Sequence, residues 1–227
     1  MSRRNMNKKY IVANWKSYKT LDEAEDWLDV FIETPLTFNE EEKEVVICPS
    51  FMSLALMDAY LDEKDVPVFL GAQDVSPFDE GAFTGEVNAK QVKECADYAI
   101  IGHSERRSNF HEDDALLAKK VEKALSLDIE PIFCIQGKET PIPDGVSIVA
   151  YEPVEAIGSG KPDSPDDAEA VAKTVKTEHP TVKVVLYGGS VTAELVNSFT
   201  SRPAIDGVLV GGASLDASEF RKIIDNA

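Results

Sequence analysis

Three side chains that could share one piece of acid–base chemistry stand far apart in this chain: Lys16, His103 and Glu152. Each follows directly on an apolar run. Lys16 comes two residues after Asn14, His103 closes Ile100-Ile101-Gly102, and Glu152 sits between Tyr151 and Pro153. A carboxylate in an apolar, closable site can serve as a base near neutral pH. An imidazole can polarise and shuttle a proton, and an ammonium can stabilise developing negative charge. Taken singly, each has an ordinary reading: a solvated lysine, a hydrogen-bonded structural histidine, a rim ion pair. Two glycine pairs change the weighing. Gly188-Gly189-Ser190 and Gly211-Gly212 let backbone N–H groups come close to an anion, and each precedes a helix start.

These groups must be positioned by something, and the chain alternates short β-rich runs with amphipathic stretches. Strands are expected at 10–13, 44–47, 68–73, 98–101, 131–135, 146–151, 183–187 and 207–210. Most lack polar alternation, as strands buried on both faces do. Capping signals mark helices between them. Thr20 with Glu23 reads as a capping box ahead of Trp27, Leu28 and Phe31. Ser164-Pro165-Asp166-Asp167 gives a cap, a first-position proline and first-turn acids. Thr192 precedes a helix carrying Leu195, Val196 and Phe199, and Asp216 with Glu219 opens a last helix whose Phe220, Ile223 and Ile224 face inward.

About eight strands suit either a doubly wound sheet or a closed barrel. Every polar or glycine-rich cluster falls at the C-terminal end of a strand, after the first, fourth, sixth, seventh and eighth. They can aim at one point only if the sheet closes, which favours a (β/α)8 barrel over residues 1–227 with its site on the C-terminal face. The loops after strands seven and eight are the usual phosphate site of such barrels. One unit is irregular: 136–145 holds two prolines and two glycines, so a helix there is improbable. About ten extended residues reach roughly 33 Å, enough to return along a strand of roughly 17 Å. The helix between strands five and six is therefore expected to be missing or severely shortened, leaving barrel wall less covered than usual.

Bulk properties narrow the function. The 227 residues carry 43% hydrophobic and 28% charged side chains, an ordinary globular balance. A net charge of −18 opposes nucleic acid, and it also opposes any phosphate substrate unless local positive groups overcome it. No run has the length of a membrane helix, and the basic start at 1–9 is not followed by a signal-like apolar stretch, so a cytoplasmic protein without a membrane partner is expected. Cys48, Cys95 and Cys134 are odd in number and widely spaced, the pattern of reduced thiols rather than disulfides or a zinc site.

Read in order, Asn-x-Lys at 14–16, Gly-His-Ser-Glu-Arg-Arg at 102–107, Tyr-Glu-Pro-Val-x-Ala-Ile-Gly-x-Gly-Lys at 151–161, Tyr-Gly-Gly-Ser-Val at 187–191 and Leu-Val-Gly-Gly-Ala-Ser-Leu at 209–215 resemble the motifs of triosephosphate isomerases. The resemblance runs from Tyr10 to Ile224. It implies interconversion of dihydroxyacetone phosphate and D-glyceraldehyde 3-phosphate, a step of glycolysis and gluconeogenesis. Glu152 would be the base and a neutral His103 the electrophile and proton shuttle. Lys16 and Asn14 would stabilise charge and bind substrate, supported from behind by Ser104 and Glu105. Ser190, Gly211, Gly212 and Gly158 would contact the phosphate. Pro153-Val154-Glu155-Ala156-Ile157-Gly158-Ser159-Gly160-Lys161 resembles a closing lid, which would protect an enediolate from eliminating phosphate. Gly81-Ala82-Phe83-Thr84-Gly85-Glu86 resembles an interdigitating loop, implying a homodimer in which Thr84 reaches towards the partner's site. No metal or organic cofactor is implied.

Two departures stand out. Glu155 occupies a lid position usually held by Trp, and Gly137 stands near where that indole usually meets a Glu, so the open lid is expected to be held differently. Other readings compete. A metal-dependent epimerase would need a cluster of ligands, yet the chain has only three histidines, with His111 in a charged helical stretch and His179 at a helix end. A Schiff-base aldolase would want a lysine inside a strand. A non-catalytic scaffold descended from the enzyme would have no reason to keep Asn14, Lys16, His103 and Glu152.

Overall fold

The computed structural model describes residues 8–153 and 163–227. Eight parallel strands close in sequence order into a barrel: β1 (Lys9–Asn14), β2 (Lys43–Cys48), β3 (Phe69–Ala72), β4 (Tyr98–Ile101), β5 (Glu130–Ile135), β6 (Ile148–Tyr151), β7 (Val184–Tyr187) and β8 (Gly207–Val210). Closure comes from β8 lying against β1, with Tyr10 paired to Gly207 and Ala13 to Val210. A glycine is required at that seam, because a Cβ on Gly207 would fall 1.9 Å from the Tyr10 carbonyl oxygen.

Alternation along each strand makes two cores from one set of runs. Val12, Val46, Ile100, Ile132, Ile148, Leu186 and Leu209 fill the cylinder, while Ile11, Val45, Ile101, Phe133, Val149, Val185 and Val208 belong to the layer packed under the helices. Both sets are buried, which is why the strands read as continuous apolar runs. At the end away from the loops described below, buried Glu44 takes Lys8 at 3.1 Å and the Tyr98 hydroxyl, so the polar groups there are committed to one another.

The outer layer comprises α1 (Leu21–Ile32), α2 (Phe51–Glu63), α3 (Ala89–Lys93), α4 (Ser104–Asn109), α5 (Asp114–Ser126), α6 (Pro165–Glu178), α7 (Val196–Thr200) and α8 (Ala217–Asn226), with a 3-10 turn at Gly212–Leu215. The expected caps operate. Thr20 Oγ1 accepts from the Glu23 N–H at 3.3 Å while Glu23 Oε2 accepts from the Thr20 N–H at 2.7 Å. Ser164 caps α6 ahead of Pro165, and Asp216 accepts from the Glu219 N–H at 2.8 Å. Thr192 acts differently: its carbonyl, not its hydroxyl, receives the N–H groups of Leu195 and Val196, and the helix proper begins at Val196. His111 is not helical. It lies between α4 and α5 with φ 55.

No helix lies between β5 and β6; residues 136–147 cross as turns. The expectation of thinly covered wall is corrected, since Phe133, Ile135 and Val149 are each 0% exposed. Ile142 and Val146 of the crossover pack on that core, and the Arg107 guanidinium lies 5.6 Å over the Phe133 ring. An apolar residue between two prolines can cover a wall without being helical.

Ahead of the site, α4 and α5 are fastened to the segment after β3 by a charge cluster. Lys120, 3% exposed, reaches Asp74 Oδ1 and Glu112 Oε1 at 2.6 Å, and Arg106 bridges the same two carboxylates at 2.8 Å. Burial opposes the Glu112 charge, but Arg106 and Lys120 outweigh it and hold its carboxyl below the usual range.

Candidate active site

The functional side chains come from strand ends that the barrel brings to one rim. Asn14 is the last residue of β1 and is buried. Its Oδ1 accepts from the Lys16 N–H at 3.0 Å, which holds Lys16 in a left-handed conformation with φ 53. That backbone turn is strained for a lysine, and the asparagine bond compensates locally. Lys16 Nζ then meets Glu105 Oε1 at 2.5 Å.

His103 caps α4. Its Nδ1 accepts from the Glu105 N–H at 3.2 Å, so that nitrogen carries the lone pair. The proton of the neutral ring is therefore on Nε2, which donates to Glu152 Oε1 at 2.9 Å. Glu152 is 1% exposed, and its other oxygen accepts from the Ser104 N–H at 2.9 Å, one of the donors that a helix start leaves unpaired. Sequence reasoning passed over a third neighbour. The buried Cys134 thiol hydrogen-bonds to Glu152; burial first, and then the Glu152 charge, push its pKa well above the ordinary thiol value, so it stays a donor. The only signal was its place one residue before the end of β5, on the face that points into the cylinder.

Asn14, Lys16, His103 and Glu152 line one cavity of about 290 Å³ together with Gly188, Gly189, Ser190, Gly211 and Gly212. The two glycine pairs thus form the wall facing the titratable groups. Gly189 is needed for close packing, as a Cβ there would lie 2.2 Å from the Tyr187 hydroxyl oxygen. Val191, Thr192, Leu195, Leu209 and Ala213 complete the lining and were not anticipated as site residues. A larger cavity of about 470 Å³ opens between α1 and α8, but the convergence of base, imidazole and ammonium, not size, marks the site. Of the nine lid residues, Pro153 is buried beside Glu152, while the other eight, Val154, Glu155, Ala156, Ile157, Gly158, Ser159, Gly160 and Lys161, lie outside the described residues. Among the described residues, no group of three or more ligating side chains could hold a metal, and no helix is long and apolar enough to cross a membrane.

Beyond the lid segment, two tyrosines grip the chain. Tyr187 Oη accepts from the Asp163 N–H at 2.8 Å, and the Tyr151 hydroxyl donates to Asp163 Oδ2 at 3.3 Å. Burial pushes both phenols up to about 12; the Asp163 charge adds to it at Tyr151, while at Tyr187 the Asp163 N–H opposes it and the Asp163 charge adds less. Because the folded values exceed the ordinary value of 10, these groups favour the fold fully below pH 10, and that contribution is lost as pH rises towards about 12. Thermal melts across that window should show falling stability in step with tyrosinate absorbance, and Tyr151→Phe should flatten the curve. Titration of both phenols near 10 without loss of stability would contradict this.

A closed parallel barrel whose rim brings carboxylate, imidazole and ammonium into one cavity with two glycine turns defines a class: phosphate-binding barrel enzymes that move protons. The sequence comparisons are more specific. The profile of the triosephosphate isomerase family matches residues 9–227. A triosephosphate isomerase of Mesomycoplasma hyopneumoniae (strain 232) is 38% identical over 244 residues, covering 97% of this chain and 100% of the relative. One from Dictyoglomus turgidum is 39% identical over 251 residues, covering 96% and 99%, and one from Gloeobacter violaceus is 35% identical over 243, covering 97% and 99%. This chain belongs to the triosephosphate isomerase family. The alignments run to more positions than its 227 residues, so these relatives carry stretches that it lacks.

Proposed function

We propose that the chain interconverts dihydroxyacetone phosphate and D-glyceraldehyde 3-phosphate through an enediolate, with the residues at the barrel mouth in the roles established for the family. Glu152 removes the proton alpha to the carbonyl and returns it to the neighbouring carbon. His103, neutral with its proton on Nε2, polarises the carbonyl and passes protons between the two oxygens. Lys16, and Asn14 through its amide N–H, stabilise the oxygen that becomes negative. Ser190, Gly211 and Gly212 hold the phosphate, joined by Gly158 on lid closure, while Ser104 and Glu105 position Glu152 and Lys16. The observation that carries this reading is the 2.9 Å contact between Glu152 Oε1 and His103 Nε2 in the one cavity that also holds Lys16. The bonds from Glu152 to His103 and Ser104 are exchanged for substrate when the carboxylate turns to carbon.

The working form is a homodimer in the cytoplasm. Phe78 and Phe83, 44% and 42% exposed, stack at 4.1 Å on the loop that carries Thr84, and exposed Tyr18, Phe51, Met52 and Phe110 belong to the segments that follow the C-terminal ends of β1, β2 and β4. Apolar exposure of this kind calls for a protein partner. The three cysteines are free thiols, as suits a reducing compartment. The test is isomerisation of D-glyceraldehyde 3-phosphate by the purified chain in deuterated water, with sedimentation to give mass. Turnover with solvent deuterium in the product, by a particle of twice the chain mass, is expected. A folded protein that neither turns over triose phosphate nor binds inorganic phosphate would overturn the assignment.

A further inference from the structure

The indole of Trp27 belongs to α1, yet it bonds to the turn that carries Gly211 and Gly212. Trp27 Nε1–H donates to the Ser214 carbonyl at 3.1 Å, in a buried contact across 187 residues of sequence. Ser214 is itself 0% exposed and folds back on the same turn, its N–H and Oγ–H donating to the Gly211 carbonyl at 2.9 and 2.7 Å. The other faces of the indole are equally occupied. The ring stacks on Phe31 at 4.7 Å, meets Trp15 edge-on at 4.9 Å and lies 6.1 Å from Phe220. Trp15 is the residue before Lys16, and a Cβ on Gly211 would lie 3.3 Å from Lys16 Cε. One side chain therefore spans the two walls of the cavity, the β1 loop with the ammonium and the β8 turn with the glycine N–H groups.

We propose that Trp27 is a positioning residue for phosphate: its indole N–H sets where the Gly211-Gly212 turn stands relative to Lys16, and so sets the affinity of the site for a phosphate monoester dianion. This rests on the functional reading above. The reasoning is geometric. Backbone donors cannot change length to follow an anion, so a shift of the whole turn by a fraction of an ångström weakens several bonds together. Phosphate is held in the ground state and the transition state alike, so the loss should appear in KM rather than kcat.

Trp27→Phe keeps an aromatic ring and removes the donor. Measured against the unsubstituted protein, it should weaken binding of inorganic phosphate by roughly 3- to 10-fold, the range expected for one buried hydrogen bond, and raise KM in parallel, with kcat and its pH profile unchanged within about twofold. Ser214→Ala, which leaves the indole and the Ser214 carbonyl in place but loosens the turn from within, should shift phosphate affinity in the same direction by a smaller factor. It serves as the measure if Trp27→Phe does not fold. An ordinary KM and phosphate Kd in folded Trp27→Phe, or in Ser214→Ala if that is the variant measured, would overturn the proposal, as would a loss confined to kcat. If the unsubstituted protein itself fails to isomerise triose phosphate, the functional reading falls instead, and phosphate titration of the variants still decides the role of Trp27.

Discussion

Glu152→Gln is expected to lower kcat by about 10³- to 10⁴-fold, the upper range for removal of a general base, with little change in KM. The substitution preserves volume and removes only the lone pair that takes the proton. Folding should survive, because glutamine can still accept from the Ser104 N–H. It cannot also accept from His103, whose Nε2 proton is pinned by the Nδ1 bond to the Glu105 N–H. Some thermal stability should therefore be lost through that unpaired donor, by about 1–3 kcal/mol. Glu152→Asp separates chemistry from position. It remains a base but is shorter by one methylene, and misplacement on the order of 1 Å costs about 10²-fold. The order native, Asp, Gln in kcat is the expected result, read by single-turnover isomerisation alongside melting curves. A glutamine variant within tenfold of native activity would remove Glu152 from the role of base.

Lys16→Met should lower kcat/KM by about a thousandfold. The chain carries 23 basic and 41 acidic residues, so its mean field repels a phosphate dianion. Among the described residues that line the cavity, Lys16 has the one permanent positive charge. A unit charge at about 4 Å with an effective dielectric near 20 contributes roughly 4 kcal/mol, close to three decades in rate. The stability cost should be small, since the partner Glu105 carboxylate is 44% exposed and such ion pairs add little. The substitution also leaves Glu105 uncompensated at the mouth. Adding Glu105→Gln to Lys16→Met should recover less than about tenfold if the ammonium acts on substrate directly, and most of the loss if it only neutralises Glu105. Full recovery in the double variant would reject the direct role.

Much of this was legible because it is local. A capping box is a matter of three residues, so Thr20 and Glu23 announced α1 and the structure makes both bonds. Two prolines and two glycines announced that no helix would separate β5 from β6. Runs buried on both faces announced strands, and chemistry at successive strand ends announced a closed barrel with Asn14, Lys16, His103 and Glu152 on one cavity. Helices such as α2 carried less signal, since the apolar residues of Phe51–Glu63 run around the helix and mark no single face.

What composition and spacing could not contain are the contacts made only after β8 meets β1. The buried cluster of Asp74, Arg106, Glu112 and Lys120 looks, in the chain, like charge destined for solvent. The full burial of Phe133 and Val149 depended on where Ile142 and Arg107 came to rest. The tautomer of His103, the thiol beneath Glu152 and the reach of Trp27 to Ser214 are likewise products of closure. Backbone preferences and caps act within a turn of chain and are written in neighbouring residues. Hydrogen bonds between residues nearly two hundred positions apart acquire a geometry only when the cylinder shuts, and it is that closure which turns a list of reactive groups into a site.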